Sequence, residues 1–289
     1  MSGISEELGR KIGSARDLQS IVRSMKALAA SNIGQYERAV AALRDYYRTV
    51  ELAVRACSGA AARASPPKAS AGTASVGALV FGSDQGLVGR FNEALAEFAT
   101  RSLAALPRAV TRIWVVGERM EALVASPART FAAPNSVDAI GGLVGELLID
   151  MAAAEEAREI QELYVFHNAP GPAATYAPVM LRLLPLDAHW QTDMAAIAWP
   201  SGRIPEVIQG AESALAAFIR EYLFILLFQA CAESLASENA SRLAAMQRAE
   251  KNIEDMLDEM NRRFHRIRQE SIDEELFEVI SGYDALARD

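Results

Sequence analysis

Between Ala211 and Ser281 the chain contains no glycine and no proline. The residues that most readily interrupt a helix are missing over about 70 positions, which as one helix would extend roughly 105 Å at 1.5 Å per residue. Globular helices average about 11–12 residues, so this stretch predicts an unusually long one. Cysteine is scarce as well. Cys57 and Cys231 are the only two, and neither lies in a C-x-x-C, which excludes a disulfide framework and a cysteine zinc site and suits a reducing compartment. The three histidines, His167, His189 and His265, include no pair at the spacing of metal ligands. There is no G-x-S-x-G elbow, no G-x-G-x-x-G and no G-x-x-x-x-G-K-[ST], so the sequence predicts no catalytic constellation, metal or cofactor. Positive charge is in deficit, 29 Lys and Arg against 37 Asp and Glu for a net −8, which argues against a nucleic-acid partner. The apolar run Tyr222 to Phe228 (YLFILLF) is far too short to span a bilayer. The N-terminus turns amphipathic and charged at once, so no signal peptide is expected.

What is present is periodicity. Ile253, Leu257, Met260, Phe264 and Ile267 follow four-three spacing, the seam of a coiled coil. Leu243 and Met246 extend it backwards, with Glu250 as one polar interruption. Beyond Ile267 the phase changes to a stripe of Ile272, Leu276, Val279 and Ile280. The YLFILLF run is apolar on every side and predicts cover on every side. Pro205 and Gly282 stand where a first-turn proline and a left-handed stop would bound the helix. A helix this long needs a partner, and the other end of the chain offers one. Leu18, Ile21, Met25 and Leu28 predict a seam; Tyr36, Val40, Leu43, Tyr47, Val50 and Val54 predict another, with a change of phase at Asn32 between them. Gly34 is the only breaker from Ser14 to Ser58. The expectation is an antiparallel coiled coil between the two ends of the chain.

The middle alternates. Val76–Phe81, Arg112–Val116 and Glu162–His167 read as strands, with Val179–Leu186 a candidate fourth. Glu93–Leu106, Glu118–Val124 and Val137–Arg158 read as helices, the last broken near Gly141, Gly142 and Gly145. Strand–helix alternation predicts a small α/β domain with a largely parallel sheet. The expected organisation is therefore an N-terminal coiled-coil helix over 1–60, a linker over 61–75 rich in small residues and proline, an α/β domain over 76–200, and a C-terminal coiled-coil helix over 205–289.

The sharpest loop is Phe81–Asn92 (FGSDQGLVGRFN). It leaves a strand and enters a helix, where α/β folds bind ligands, but its spacing matches no phosphate fingerprint. The simpler expectation is a tight turn capped by Asp84, with glycines in unusual dihedrals. His167 at a strand end reads as a structural histidine. On the long helix, Arg262, Arg263, Arg266 and Arg268 form a basic band flanked by acids. That pattern fits a solvated coiled-coil face or a banded surface meeting a complementary protein.

These stretches resemble a known family, the gamma subunits of F-type rotary ATP synthases. KIGSARDLQSIVRSMKALAAS (Lys11–Ser31) is similar to that family's opening helix. SDQGLVGRFN (Ser83–Asn92) resembles its S-D-R-G-L-C-G-G-F-N signature. SENASRLAAMQRAEKN (Ser237–Asn252) and RIRQESIDEELFEVISG (Arg266–Gly282) resemble its C-terminal segment. The motifs occur in the family's order and cover rather less than half of the chain. Gln85, Val88 and Arg90 replace the usual Arg, Cys and Gly; Ser31 and Asn32 stand where a basic residue is usual; Asp273 and Glu274 replace Thr and Gln. These departures mark a divergent branch.

The resemblance implies a central shaft with no catalytic site of its own. Its terminal helices would enter a ring of three alpha and three beta subunits, and its α/β domain would rest on the epsilon subunit and the membrane c ring. It would be peripheral, without direct membrane insertion, on the cytoplasmic face of a bacterial inner membrane. The family pattern assigns Met25, Lys26 and Arg242 to the coupling surface and Arg268, Gln269 and Glu275 to contact with the beta loops. Ser83, Asp84, Gly86, Gly89, Phe91 and Asn92 carry the loop motif. Two other classes fit parts of the sequence: a coiled-coil scaffold without a rotary role, and a small α/β nucleotide-binding enzyme using the Phe81–Asn92 loop.

Overall fold

A computed structural model describes residues 2–61, 75–171, 176–186, 188–201, 203, 207 and 210–286. The linker expected over 61–75 and the helix start expected at Pro205 lie almost wholly outside these residues. Two helices dominate: α1, Ser2–Ala61, and α6, Ala211–Leu286. Between them come β1 (Val76–Phe81), α2 (Phe91–Ala104), β2 (Val110–Val116), α3 (Glu118–Glu121), β3 (Arg129–Phe131), α4 (Val137–Glu156), β4 (Glu162–Pro170), β5 (Tyr176–Leu184) and α5 (Ala188–Ala196). The chain divides into two compact units, one of residues 1–29 with 243–289, the other of residues 30–242.

In the first unit α1 and α6 pair antiparallel. Gly9 faces Phe264, whereas Arg23 and Lys26 reach Glu250, so the α1 number rises as the α6 number falls. Leu8, Ile12, Ala15 and Leu257 are buried, with Ile253, Met260, Phe264 and Ile267 packed around them. The α6 seam is thus the one its four-three spacing predicts. The α1 seam is not. Leu18, Ile21 and Leu28 are 52%, 55% and 63% exposed, and the residues facing α6 are Leu8, Ile12, Ala15, Gln19, Val22, Lys26 and Ala29. This true seam is camouflaged because two of its positions are alanine and two are polar. Four-three spacing continues without a break in the second unit through Ile33, Tyr36, Val40, Leu43, Tyr47, Val50, Val54 and Cys57, so the expected phase change at Asn32 does not occur. Gly282 does not stop α6, which runs on to Leu286.

In the second unit the sheet order is β3-β2-β1-β4-β5, parallel except for the antiparallel β4–β5 pair. Alternate residues face opposite sides. Leu79, Phe81, Trp114, Val116, Leu163 and Val165 pack under α4 and the Leu227–Ala236 stretch of α6. Val76, Ala78, Val80, Val115 and Phe166 pack under α2 and Met120. With both faces covered, β1 is buried at every residue, as a central parallel strand requires. The apolar run Tyr222–Phe228 is buried or half-buried throughout. There Tyr222 and Ile225 meet Val50, Val54 and Met194.

One local expectation is corrected and two elements are added. Helix α4 is unbroken across Gly141, Gly142 and Gly145, because Ile140, Val144, Leu147 and Met151 anchor it to the sheet; packing outweighs a glycine cost of about 1 kcal/mol each. The short strand β3 and the helix α5 fall in segments whose sequence signals no element. Both cysteines are free and buried.

Candidate functional site

The Phe81–Asn92 loop is built inward. Ser83 is fully buried. Its amide donates to Asn92 Oδ1 at 3.0 Å, while Asn92 Nδ2 donates to Ser83 Oγ at 2.9 Å. Ser83 Oγ in turn donates to the Gln85 carbonyl. Asp84 takes amide hydrogen bonds from Glu118 and Ala133, each at 3.0 Å, and so ties the loop to the starts of α3 and of the α4 approach. Gly82 is required by close packing, because a Cβ there would lie 2.3 Å from Met120 Cβ. Gly89 adopts φ +59 and Leu87 φ +63, a backbone region costly for leucine. Gly86 faces the Arg119 guanidinium. Phe91 is fully buried, and its carbonyl accepts from Asn168 Nδ2 at 3.1 Å. The side chains of Ser83, Asp84 and Asn92 are committed to the protein, which makes this loop a structural hub.

Helix α6 supplies the other side of this hub. Ser234, Ser237 and Ser241 donate to the carbonyls of Phe81, Asn168 and Val88 at 3.3, 2.9 and 2.5 Å. Arg242 is buried and pairs with Glu238 at 2.6 Å. Burial raises the Glu238 carboxyl above its usual range; the Arg242 charge opposes that and Asp84 adds to it. Tyr36 of α1 is buried beside this pair. Its hydroxyl is shifted upward, first by burial and then by Glu238. Asn32 Nδ2 donates to Asn239 Oδ1 at 3.4 Å. His167 Nε2 lies 2.9 Å from Glu233 Oε2, and Gln229 donates to the other carboxylate oxygen at 2.7 Å. Burial pushes Glu233 up, but the His167 and Gln229 hydrogen bonds and the His167 charge outweigh it, leaving this carboxyl below its usual value.

The remaining sequence-predicted residues lie in the first unit. Lys26, half-buried on the true α1 seam, pairs with Glu250 at 2.5 Å, and Arg23 joins at 2.9 Å. The polar interruption of one seam therefore meets the polar interruption of the other. The Glu250 carboxyl is held low, chiefly by the Lys26 hydrogen bond and then by Arg23. Met25 is half-buried next to this pair. Arg268, Gln269 and Glu275 are exposed. Arg268 and Glu275 share an open groove with Arg10, Phe264 and Ile272, while Gln269 lies outside it. Ser234, Ser237, Ser241, Glu238 and Tyr36 were not signalled as functional by the sequence. The available clues were the resemblance carried by Ser237–Asn252 and the density of polar residues inside an otherwise buried helical stretch.

A family model for ATP synthase matches residues 5–286, almost the whole chain. The chain belongs to the ATP synthase gamma chain family. The ATP synthase gamma chain of Methylococcus capsulatus is 28% identical over 290 residues, covering 98% of this chain and 99% of the relative. That of Frankia casuarinae is 29% identical over 299 residues, covering 99% of each. Among solved structures, the rotor of Euglena gracilis mitochondrial ATP synthase in rotational state 1 matches with a TM-score of 0.63 at 15% identity, over 94% of this chain and all of that one. The central stalk and c ring structure from Tetrahymena thermophila mitochondrial ATP synthase matches with a TM-score of 0.57 at 18% identity, over 79% of this chain and 99% of that one. As a gamma subunit the protein is a non-catalytic component of the central stalk of an F-type ATP synthase. The full-length match sets aside both the scaffold and the small-enzyme readings.

Proposed function

We propose that this gamma subunit is the shaft that couples ion flow through a c ring to nucleotide chemistry on three beta subunits, themselves alternating with three alpha subunits. The α1–α6 pair of the first unit stands in the alpha–beta cavity. The sheet-bearing unit engages epsilon and the c ring on the cytoplasmic face of a bacterial inner membrane. Met25, Lys26, Arg242, Arg268, Gln269 and Glu275 act in coupling.

One observation carries this reading. The intramolecular seam of α6 ends at Ser271, and beyond it Ile272, Leu276, Phe277, Val279 and Ile280 are 49–71% exposed. A helix end bearing this much bare apolar surface needs an outside partner, and a ring around a shaft supplies one. Each shaft angle then presents different groups to each beta subunit and selects among its conformations.

The test is Arg268→Ala with Gln269→Ala. Both side chains are exposed, so the free subunit should keep its helix content and its melting temperature. In the assembled complex ATP turnover or torque should fall, most strongly at low salt, where exposed charge contacts weigh most. A double variant that melts much earlier on its own would reassign both residues to packing.

A further inference from the structure

From Ser234 to Arg242 helix α6 is buried, yet rich in polar residues. Ser234, Ser237, Glu238, Asn239, Ser241 and Arg242 are each at most 9% exposed. Helical hydroxyls ordinarily bond back to the carbonyl four residues earlier, as Ser24 does to Ser20 and Thr49 to Asp45 on α1. Ser234, Ser237 and Ser241 do not. Spaced three and four apart, they share one helix face and reach three separate segments of the sheet-bearing unit: the end of β1, the end of β4 and the Phe81–Asn92 loop.

The preceding stretch, Tyr222–Ala232, holds the same helix by apolar packing. Apolar burial is non-directional and tolerates small rotations. Hydrogen bonds depend steeply on angle. Sliding α6 by one residue would turn it by about 100° and shift it by about 1.5 Å, which breaks all three at once. Stability alone does not explain the polar layer, for it leaves Arg242 Nε and Asn168 Oδ1 buried without a hydrogen-bond partner. Fixing register is the best-attested use of buried polar groups.

We propose that Ser234, Ser237 and Ser241 are a torsional clutch, positioning residues that lock the rotational phase of α6 to the sheet-bearing unit. Torque entering through that unit then passes into the shaft helix without angular play. This rests on the rotor reading above.

The test uses the assembled ATP synthase with Ser234→Ala, Ser237→Ala and Ser241→Ala combined. A bead is attached to the sheet-bearing unit through Arg101→Cys on α2, since Cys57 and Cys231 are buried. The alpha–beta ring is immobilised and stalled with nucleotide. The angular fluctuation of the bead should broaden about twofold or more when three directional contacts are lost. Ions pumped per ATP should fall, while ATP hydrolysis stays within about twofold of wild type, because non-reacting positioning groups leave the chemical step intact. Returning one hydroxyl by Ser241→Thr in the alanine background should narrow the distribution again. If the triple variant fails to assemble, Ser241→Ala alone is measured in the same way. An unchanged angular width and pumping ratio, beside a wild-type complex that rotates, would overturn the clutch alone. A wild-type complex that hydrolyses ATP without turning the bead would overturn the rotor reading, and the clutch with it.

Discussion

Helix α6 is covered in its interior and bare towards its C-terminal end. From Ala230 to Arg242 every residue but Glu233 is buried. From Ile272 to Ile280 every residue is exposed, Phe277 at 71% and Val279 at 70%. Polar residues make up about half of the covered stretch, and large apolar ones stand out along the bare stretch. That inverts the usual distribution. Stability in the free subunit should therefore depend on the polar stretch, whereas the apolar stretch should matter only in the assembly.

The largest effect is expected at Arg242. Removing one partner of a buried ion pair strands the other charge, at a cost of about 3–5 kcal/mol. Arg242→Ala should lower the urea midpoint of the free subunit accordingly. Replacing both members, Arg242→Met with Glu238→Leu, should recover most of the loss. A cost below about 1 kcal/mol would erase the contrast between the two stretches, since that is the scale of an exposed ion pair.

A smaller effect is expected at Glu233. Its folded carboxyl titrates below the usual 4.5, so its ionised form favours folding. That stability is present above about pH 4.5 and is lost as pH falls through the lowered value. Glu238 has the opposite sign, because a raised carboxyl favours the fold on the acid side and loses that contribution as pH rises through it. Glu233→Gln should lower the urea midpoint at neutral pH and narrow its difference from the midpoint at acid pH. An unaltered pH dependence would show that the His167–Glu233 contact is not electrostatic.

The smallest effect on the free subunit belongs to the bare end. Phe277→Ala should change its stability by no more than about 0.5 kcal/mol, as exposed substitutions do. Hydrogen exchange over residues 272–280 should be fast in the isolated subunit and slow in the complex. Equal protection in both would mean that this end already has a partner within the chain.

Much of this was legible in the sequence. The absence of glycine and proline foretold α6, and Ile253 to Ile267 foretold its seam, because large apolar residues occupy almost every seam position. The α1 seam was read correctly from Tyr36 to Val54, but its first half was misread for the converse reason. Ala15 and Ala29 are too small, and Gln19 and Lys26 too polar, to stand out against Leu18, Ile21 and Leu28 on the outer face. Strands β1 and β4 were legible as apolar runs. Strand β3, three residues long, depends on pairing with β2 and has no pattern of its own. The FGSDQGLVGRFN loop announced itself through its glycines. Its serine partners lie some 150 residues downstream in a helix, where a serine carries no local signal of what it will bond.

The pairing of α1 with α6 also has a consequence for synthesis on the ribosome. Arg23 finds Glu250 227 residues downstream. At about 5–20 residues per second, α1 waits on the order of ten to forty-five seconds for the strand of chain that will cover it. The central sheet can close in that interval, since β1, β2 and β4 are all made before α6 begins. Helix α1 thus precedes every other described element along the chain and is among the last to be covered.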